Sequence, residues 1–221
     1  MKLEAVCFDI DGTLYPKWQT SLYLIPSFFP SPLLAFKYQR FRSAIRRNPD
    51  RGGEALNHDE FLKKQAALIG TSVEKIERQF YNKWRSSFKK IRVYPQVRET
   101  LEWLKGLSLK IAILSDFPLE EKLTTLGIAD LVDYAICSEE SGYLKPHPKP
   151  FLAVSQALGV DPSAILYVGD SYSKDIVGAN GVGMFSALIG SSKKRDATFT
   201  FSDYNEFKIK FENYFCKGER C

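Results

Sequence analysis

Residues 6–16 read VCFDIDGTLYP. The apolar run Val6–Phe8 has the character of a buried strand. It ends in two aspartates, Asp9 and Asp11, one residue apart, and a Gly-Thr turn follows at once. Side chains two positions apart on a strand point to the same face. Like charges held close raise one another's pKa. Such a pair calls for a cation, a shared proton or a chemical task.

From Pro95 onward the pattern alternates. Apolar residues at helical spacing predict a helix over 96–107, and a short apolar run predicts a strand over 109–115. Further helices are expected over 118–127, 148–159 and 173–181, with strands over 133–138, 164–170 and 183–190. Residues 197–201 form a last edge strand before a helical tail. Strands that alternate with helices predict an α/β fold, a Rossmann-like parallel sheet with helices on both faces. The strands read as unbroken apolar runs because both faces are covered. Between the first strand and the next lie about a hundred residues, far more than a crossover needs. The excess, residues 15–92, reads as helical over 31–47, 59–70 and 72–88. The expected organisation is a core of residues 1–14 and 93–221 with an inserted helical cap over 15–92.

Charge divides along the same boundary. The 221 residues carry a net charge of +5, but residues 15–92 hold 16 Lys and Arg against 6 Asp and Glu, while the rest holds 15 against 20. A basic module beside an acidic one steers anions into the space between them. The basic residues are strewn without a nucleic-acid motif, so no nucleic-acid partner is expected. Residues 21–36, SLYLIPSFFPSPLLAF, are apolar but contain three prolines and are short for a bilayer span, so packing within the cap or core is expected and no membrane partner. The N-terminus enters the first strand too soon for a signal peptide. Of four cysteines, Cys7 and Cys137 fall in predicted strands, and Cys216 and Cys221 near the tail match no zinc spacing. A reducing, cytoplasmic compartment is the expectation.

In open parallel sheets the ligand lies beyond the C-terminal strand ends. Those ends carry Asp9 and Asp11, Ser115 and Asp116, and Asp170; Lys145 lies in the Gly- and Pro-rich loop after the 133–138 strand. Carboxylates, a hydroxyl and a lysine on one edge suit phosphate chemistry. Asp9, Asp11 and Asp170 can supply oxygen ligands to Mg²⁺. Ser115 and Lys145 can hold phosphate oxygens. A carboxylate can attack phosphorus, and a second can serve as acid and base.

DIDGTL (9–14), LSD (114–116), GYLKPHP (142–148) and GDSYSKD (169–175) occur in order, each at a strand end or in the expected loop. Together they resemble the four motifs of the haloacid dehalogenase-like hydrolase superfamily, phosphatase branch, with a cap of the C1 type. The resemblance covers the whole core. It implies that Asp9 is the nucleophile and Asp11 the general acid/base. It implies Mg²⁺ held by Asp9, the backbone carbonyl of Asp11, and Asp170, with Asp175 orienting metal-bound water. Ser115, Asp116 and Lys145 fall at its phosphate-binding positions, although Asp116 and Ser115 also suit helix capping. Gly12 lets the chain turn toward the cap, and Thr13 supports the loop.

The implied activity is Mg²⁺-dependent hydrolysis of small phosphomonoesters, as in phosphoglycolate phosphatases. The carboxylate at Asp11 argues against a dehalogenase, whose halide leaving group needs no proton. A phosphomutase of the beta-phosphoglucomutase type shares this core. A phosphonate hydrolase would need a Schiff-base lysine in the cap, where Lys17, Lys37, Lys63 and Lys64 all lie. A non-catalytic binding protein would be free to lose Asp9 or Asp11. The partner expected is a small phosphorylated metabolite with extra negative charge, from the basic balance of the cap. His147 is expected at a structural or rim position, and His58 at the surface or capping a helix.

Overall fold

Ala5–Phe8 form strand β1, buried along its whole length. Alternate residues serve opposite faces: Val6 and Phe8 pack into one apolar cluster, Ala5 and Cys7 into another. That two-sided burial is why the strand reads as unbroken apolar sequence. A computed structural model describes residues 2–28, 32–48, 57–119, 121–190 and 196–216. After β1 come helices α1 (Lys17–Phe28), α2 (Pro32–Arg47), α3 (His58–Ile69), α4 (Val73–Ile76) and α5 (Asn82–Phe88). A wide π-type turn, Glu77–Tyr81, joins α4 to α5. Then follow α6 (Val97–Gly106), β2 (Lys110–Ser115), α7 (Lys122–Thr125), β3 (Tyr134–Cys137), α8 (Pro148–Leu158), β4 (Ile165–Gly169), α9 (Val177–Gly181), β5 (Phe185–Ile189), β6 (Phe199–Phe201) and α10 (Tyr204–Phe215).

The six strands form one parallel sheet in the order β3-β2-β1-β4-β5-β6, with Val6 in register with Ile111 on one side and Leu166 on the other. The chain builds outward from β1 through β2 to β3, then returns to add β4, β5 and β6. Between β1 and β4 lies the point where the direction reverses, and the crevice there is where such sheets bind ligands. Val97, Leu101 and Leu104 of α6 join Phe207 and Phe211 of α10 on one face; Phe151 and Val154 of α8 join Ala179 of α9 on the other. Each such large side chain contributes about 1.5–3 kcal/mol by leaving water. Cys7 and Cys137 are buried free thiols; Cys221 lies outside the described residues.

The helices between β1 and β2 have a core of their own. Tyr38 stacks on Phe80 with ring centroids 4.1 Å apart, beside Phe41, Phe61 and Leu62. Leu144 and Phe117, from loops of the sheet unit, complete this cluster. Asn57 caps α3 by accepting from the Glu60 N–H, and Gly70 ends it with φ 71°.

Three local expectations change. The helix over 118–127 contracts to α7, because Lys122 N–H bonds to the Leu119 carbonyl in a preceding turn. The helix over 173–181 opens as a wide turn, Tyr172–Ile176, where the Asp175 and Ile176 N–H groups both reach the Ser171 carbonyl. The apolar segment 21–36 packs only in part among the described residues: Tyr23, Leu34 and Ala35 lie against the apolar clusters, while Leu22, Leu33 and Phe36 are exposed. Pro32 starts α2, a position that suits its missing N–H. Among the described residues no helix is long and apolar enough to cross a membrane.

Candidate active site

Asp9 follows β1, Asp170 follows β4, and Asp175 lies in the wide turn after β4. Carboxylate oxygens of these three lie within 4.8 Å of one another. Two glycines allow this crowding. A Cβ on Gly12 would lie 2.4 Å from Asp170 Oδ2, and φ there is 99°; a Cβ on Gly169 would lie 2.4 Å from that of Asp175. Only the smallest residue fits at either position. An all-oxygen donor set of this kind fits a hard cation such as Mg²⁺.

Lys145, fully buried, sits inside the cluster. Its Nζ donates to Asp9 Oδ1 at 2.7 Å, to Asp175 Oδ1 at 2.7 Å and to the Tyr167 hydroxyl at 3.0 Å. Thr13 Oγ1 donates to Asp9 Oδ2 at 3.1 Å, and Asp175 Oδ2 accepts from the Ser171 N–H at 2.9 Å. Burial pushes Asp9 up to about 7, against the pull of Lys145. Burial also raises Asp170, although Lys17 from α1 pairs with it. Burial opposes the charge on Lys145, but Asp175 and Asp9 outweigh it and hold the ammonium charged. Two lysines, Lys145 and Lys17, against three carboxylates leave negative charge unanswered, as expected of a cation site.

Asp11 stands outside that oxygen cluster. Its carboxylate pairs with Tyr15 and with buried Lys122, whose Nζ lies 3.1 and 3.0 Å from its two oxygens. Asp175 therefore supplies the third carboxylate, and any contribution of Asp11 to a cation falls to its main chain. Ser115 ends β2 fully buried, and its Oγ accepts from the Phe117 N–H at 3.2 Å. The Asp116 carboxylate accepts from Ser138 Oγ and from Arg46 of α2, both at 2.8 Å, so the side chain here faces a cation of the helices between β1 and β2. Burial works against its charge, yet Arg46, Lys145, Arg42 and Lys174 hold it well below the usual carboxylate range. His147 caps α8, accepting from the Lys149 N–H, and stacks on Tyr143.

His58 is not a surface residue. Its Nδ1 lies 2.9 Å from Glu139 Oε2, and Glu139 is wholly buried where the inserted helices meet the sheet unit. Arg42 of α2 pairs with the same carboxylate, Tyr81 donates to both its oxygens at 3.1 Å, and Arg42 Nη2 donates to the Asp116 carbonyl at 2.7 Å. Burial lowers the His58 pKa, but Glu139 more than offsets it and the net direction is up.

A cavity of about 290 Å³ opens over Asp9, Asp170 and Asp175, roofed by Lys17, Thr20 and Arg46 from the inserted helices. Sequence reasoning missed Lys122, Arg46, Lys174 and the site role of Lys17. Lys174 was open to inspection, standing one residue before Asp175 in GDSYSKD. Lys122 and Arg46 sit in mixed or basic helical sequence that carries no local signal.

Comparison with known proteins agrees with this geometry. A family model described as haloacid dehalogenase-like hydrolase matches residues 3–183. A glyceraldehyde 3-phosphate phosphatase of Methanopyrus kandleri is 31% identical over 218 residues, covering 88% of this chain and 87% of its own. A ribulose-1,5-bisphosphate 5-phosphatase of Halopiger xanaduensis is 31% identical over 212 residues, with the same coverage of 88% and 87%. Among solved structures, a HAD phosphatase from Thermococcus onnurineus is 28% identical, with a TM-score of 0.65 over 99% of this chain and 100% of its own. The carboxylate cluster at the crevice between β1 and β4, the four motifs in order and these full-length matches lead to one statement: the chain belongs to the haloacid dehalogenase-like hydrolase family.

Proposed function

We propose that this protein hydrolyses small phosphate monoesters with Mg²⁺, by attack of Asp9 on phosphorus. The observation that carries the reading is the convergence of Asp9, Asp170 and Asp175 around Lys145 at the floor of the cavity. Asp9 and Asp170, aided by Asp175 and the main chain at Asp11, would hold the ion. When bound, Mg²⁺ supplies positive charge to the phosphoryl group and to the crowded carboxylates.

Thr13 and Lys145 fix the Asp9 carboxylate, one on each oxygen, so attack needs little reorientation. Asp9 bonds to phosphorus while the ester oxygen leaves, forming an aspartyl-phosphate. Asp11 gives a proton to the departing oxygen, then takes one from the water that cleaves the intermediate. To do so it must release the contacts with Lys122 and Tyr15 that it makes here. Lys145 and the buried end of β2 at Ser115 place positive charge and polar groups beside the phosphoryl oxygens, where stabilisation matters most. Residues 15–92 act as a cap over the cavity and select the leaving group.

The relatives name phosphorylated three- and five-carbon compounds, so small sugar phosphates are the first substrates to try. The test is release of inorganic phosphate from nitrophenyl phosphate and a panel of metabolite phosphates, with and without Mg²⁺. Chelation is expected to abolish release and Mg²⁺ to restore it. Full turnover in Asp9→Asn, or an isomerised ester in place of inorganic phosphate, would refute the reading.

A further inference from the structure

We propose that Arg46 and Lys174 form a binding point for a second anionic group of the substrate, so that the favoured esters carry a carboxylate or another phosphate besides the one removed. The inference rests on the phosphatase reading and adds the class of substrate.

The cations lining the cavity are not equivalent. Arg42 is spent on Glu139 and the Asp116 carbonyl, Lys145 on Asp9 and Asp175, and Lys17 on Asp170. Lys174, partly buried on the wide turn after β4, has no carboxylate at ion-pair distance among the described residues. Arg46, in the last turn of α2, gives Nη2 to Asp116 at 2.8 Å. Its Nε is buried and has no hydrogen-bond partner among the described residues. Asp116 lies at ion-pair distance from Arg46 and not from Lys174, and its other oxygen accepts from Ser138 Oγ at 2.8 Å and from the Lys145 N–H at 3.4 Å.

Arg46 and Lys174 both line the wall of the cavity. Two cations at the wall of a half-enclosed cavity repeat, with the sign reversed, the problem posed by Asp9 and Asp11. Here an entering anion resolves it. The guanidinium offers a planar fork that suits carboxylate or phosphate, and the ammonium adds a point charge. Both line the same cavity as Asp9, so one small molecule can reach the two ends.

The test separates binding from turnover. Intact esters are titrated calorimetrically into Asp9→Asn with Mg²⁺: glycerol phosphate, whose remainder is neutral; phosphoglycolate, which adds a carboxylate; and ribulose bisphosphate, which adds a phosphate. At least one of the latter two is expected to bind about tenfold more tightly than glycerol phosphate, and the advantage should shrink in high salt. Whichever does so identifies the second group. Adding Lys174→Gln is expected to remove most of the advantage. Lys174 makes no ion pair among the described residues, so Lys174→Gln breaks none there, whereas Arg46→Gln also breaks a contact to Asp116. Equal affinity for the three esters, or an advantage that survives both substitutions, overturns the proposal. Phosphate release from the same esters by the unmodified protein judges the phosphatase reading: no release from any of them refutes that reading, while the calorimetric comparison still decides this site.

Discussion

Two buried charge clusters lie within one fold and behave differently. Around Lys145, the carboxylates of Asp9, Asp170 and Asp175 face two cations, Lys145 and Lys17, and negative charge is in excess. Around Glu139, one anion is met by Arg42, Tyr81 and His58, and its charge is fully answered. The first is built to take up a further partner. The second is built to close a seam between the inserted helices and the sheet unit. An imbalance of charge, more than burial itself, distinguishes the two clusters.

Removing the central cation of the first cluster should have the largest effect. Lys145→Met leaves Asp9 and Asp175 to repel each other, and phosphate release is expected to fall by about 10³-fold or more. Added Mg²⁺ should recover part of any lost thermal stability, read as a rise in Tm, since the ion answers the same carboxylates. If Lys145→Met retained near-normal turnover, the contrast between the clusters would collapse.

The second cluster should respond in stability. Arg42→Met leaves buried Glu139 with only His58 and Tyr81 to answer its charge, which is expected to cost about 3 kcal/mol in denaturant unfolding. Replacing both residues, Arg42→Met with Glu139→Leu, should recover most of that loss, because the desolvated charge is gone. A double variant as unstable as the single one would show that the seam depends on geometry more than on charge.

The smallest effect is expected at His58. Its folded pKa is raised, so the stability it adds is fully present below its unfolded value and is lost as pH rises through the folded value. The stability advantage of the protein over His58→Gln should therefore be larger near pH 5.5 than near pH 8.5. A difference independent of pH would assign His58 to packing alone.

The two clusters also differ in how far sequence could reveal them. Asp9 and Lys145 lie 136 residues apart, yet both were found, because each stands at a strand end or in the loop after one. A parallel sheet gathers such ends on one edge by topology, so their convergence follows from the alternation of strands and helices. Arg42 and Glu139 lie 97 residues apart and carried no such signal. Arg42 stood among other basic residues of an amphipathic helix, and Glu139 in an ordinary polar loop. Lys122 was hidden for the same reason, within a helix that proved shorter than its periodicity suggested. Asp116 stands at a strand end and was legible, but its pairing with Arg46 was not, because that cation comes from another element.

By itself, the sequence determined the parallel α/β sheet and the edge on which the carboxylates meet. Hydrophobic periodicity and strand order are local or topological properties, and a single chain displays them. Only the tertiary structure decided which cation answers which anion. Packing the inserted helices onto the sheet unit gives Arg42 to Glu139 and Arg46 to Asp116, and it leaves Lys174 with open charge at the cavity wall. Those pairings depend on distances of a few ångströms between side chains from different elements, over which electrostatic energies change most steeply.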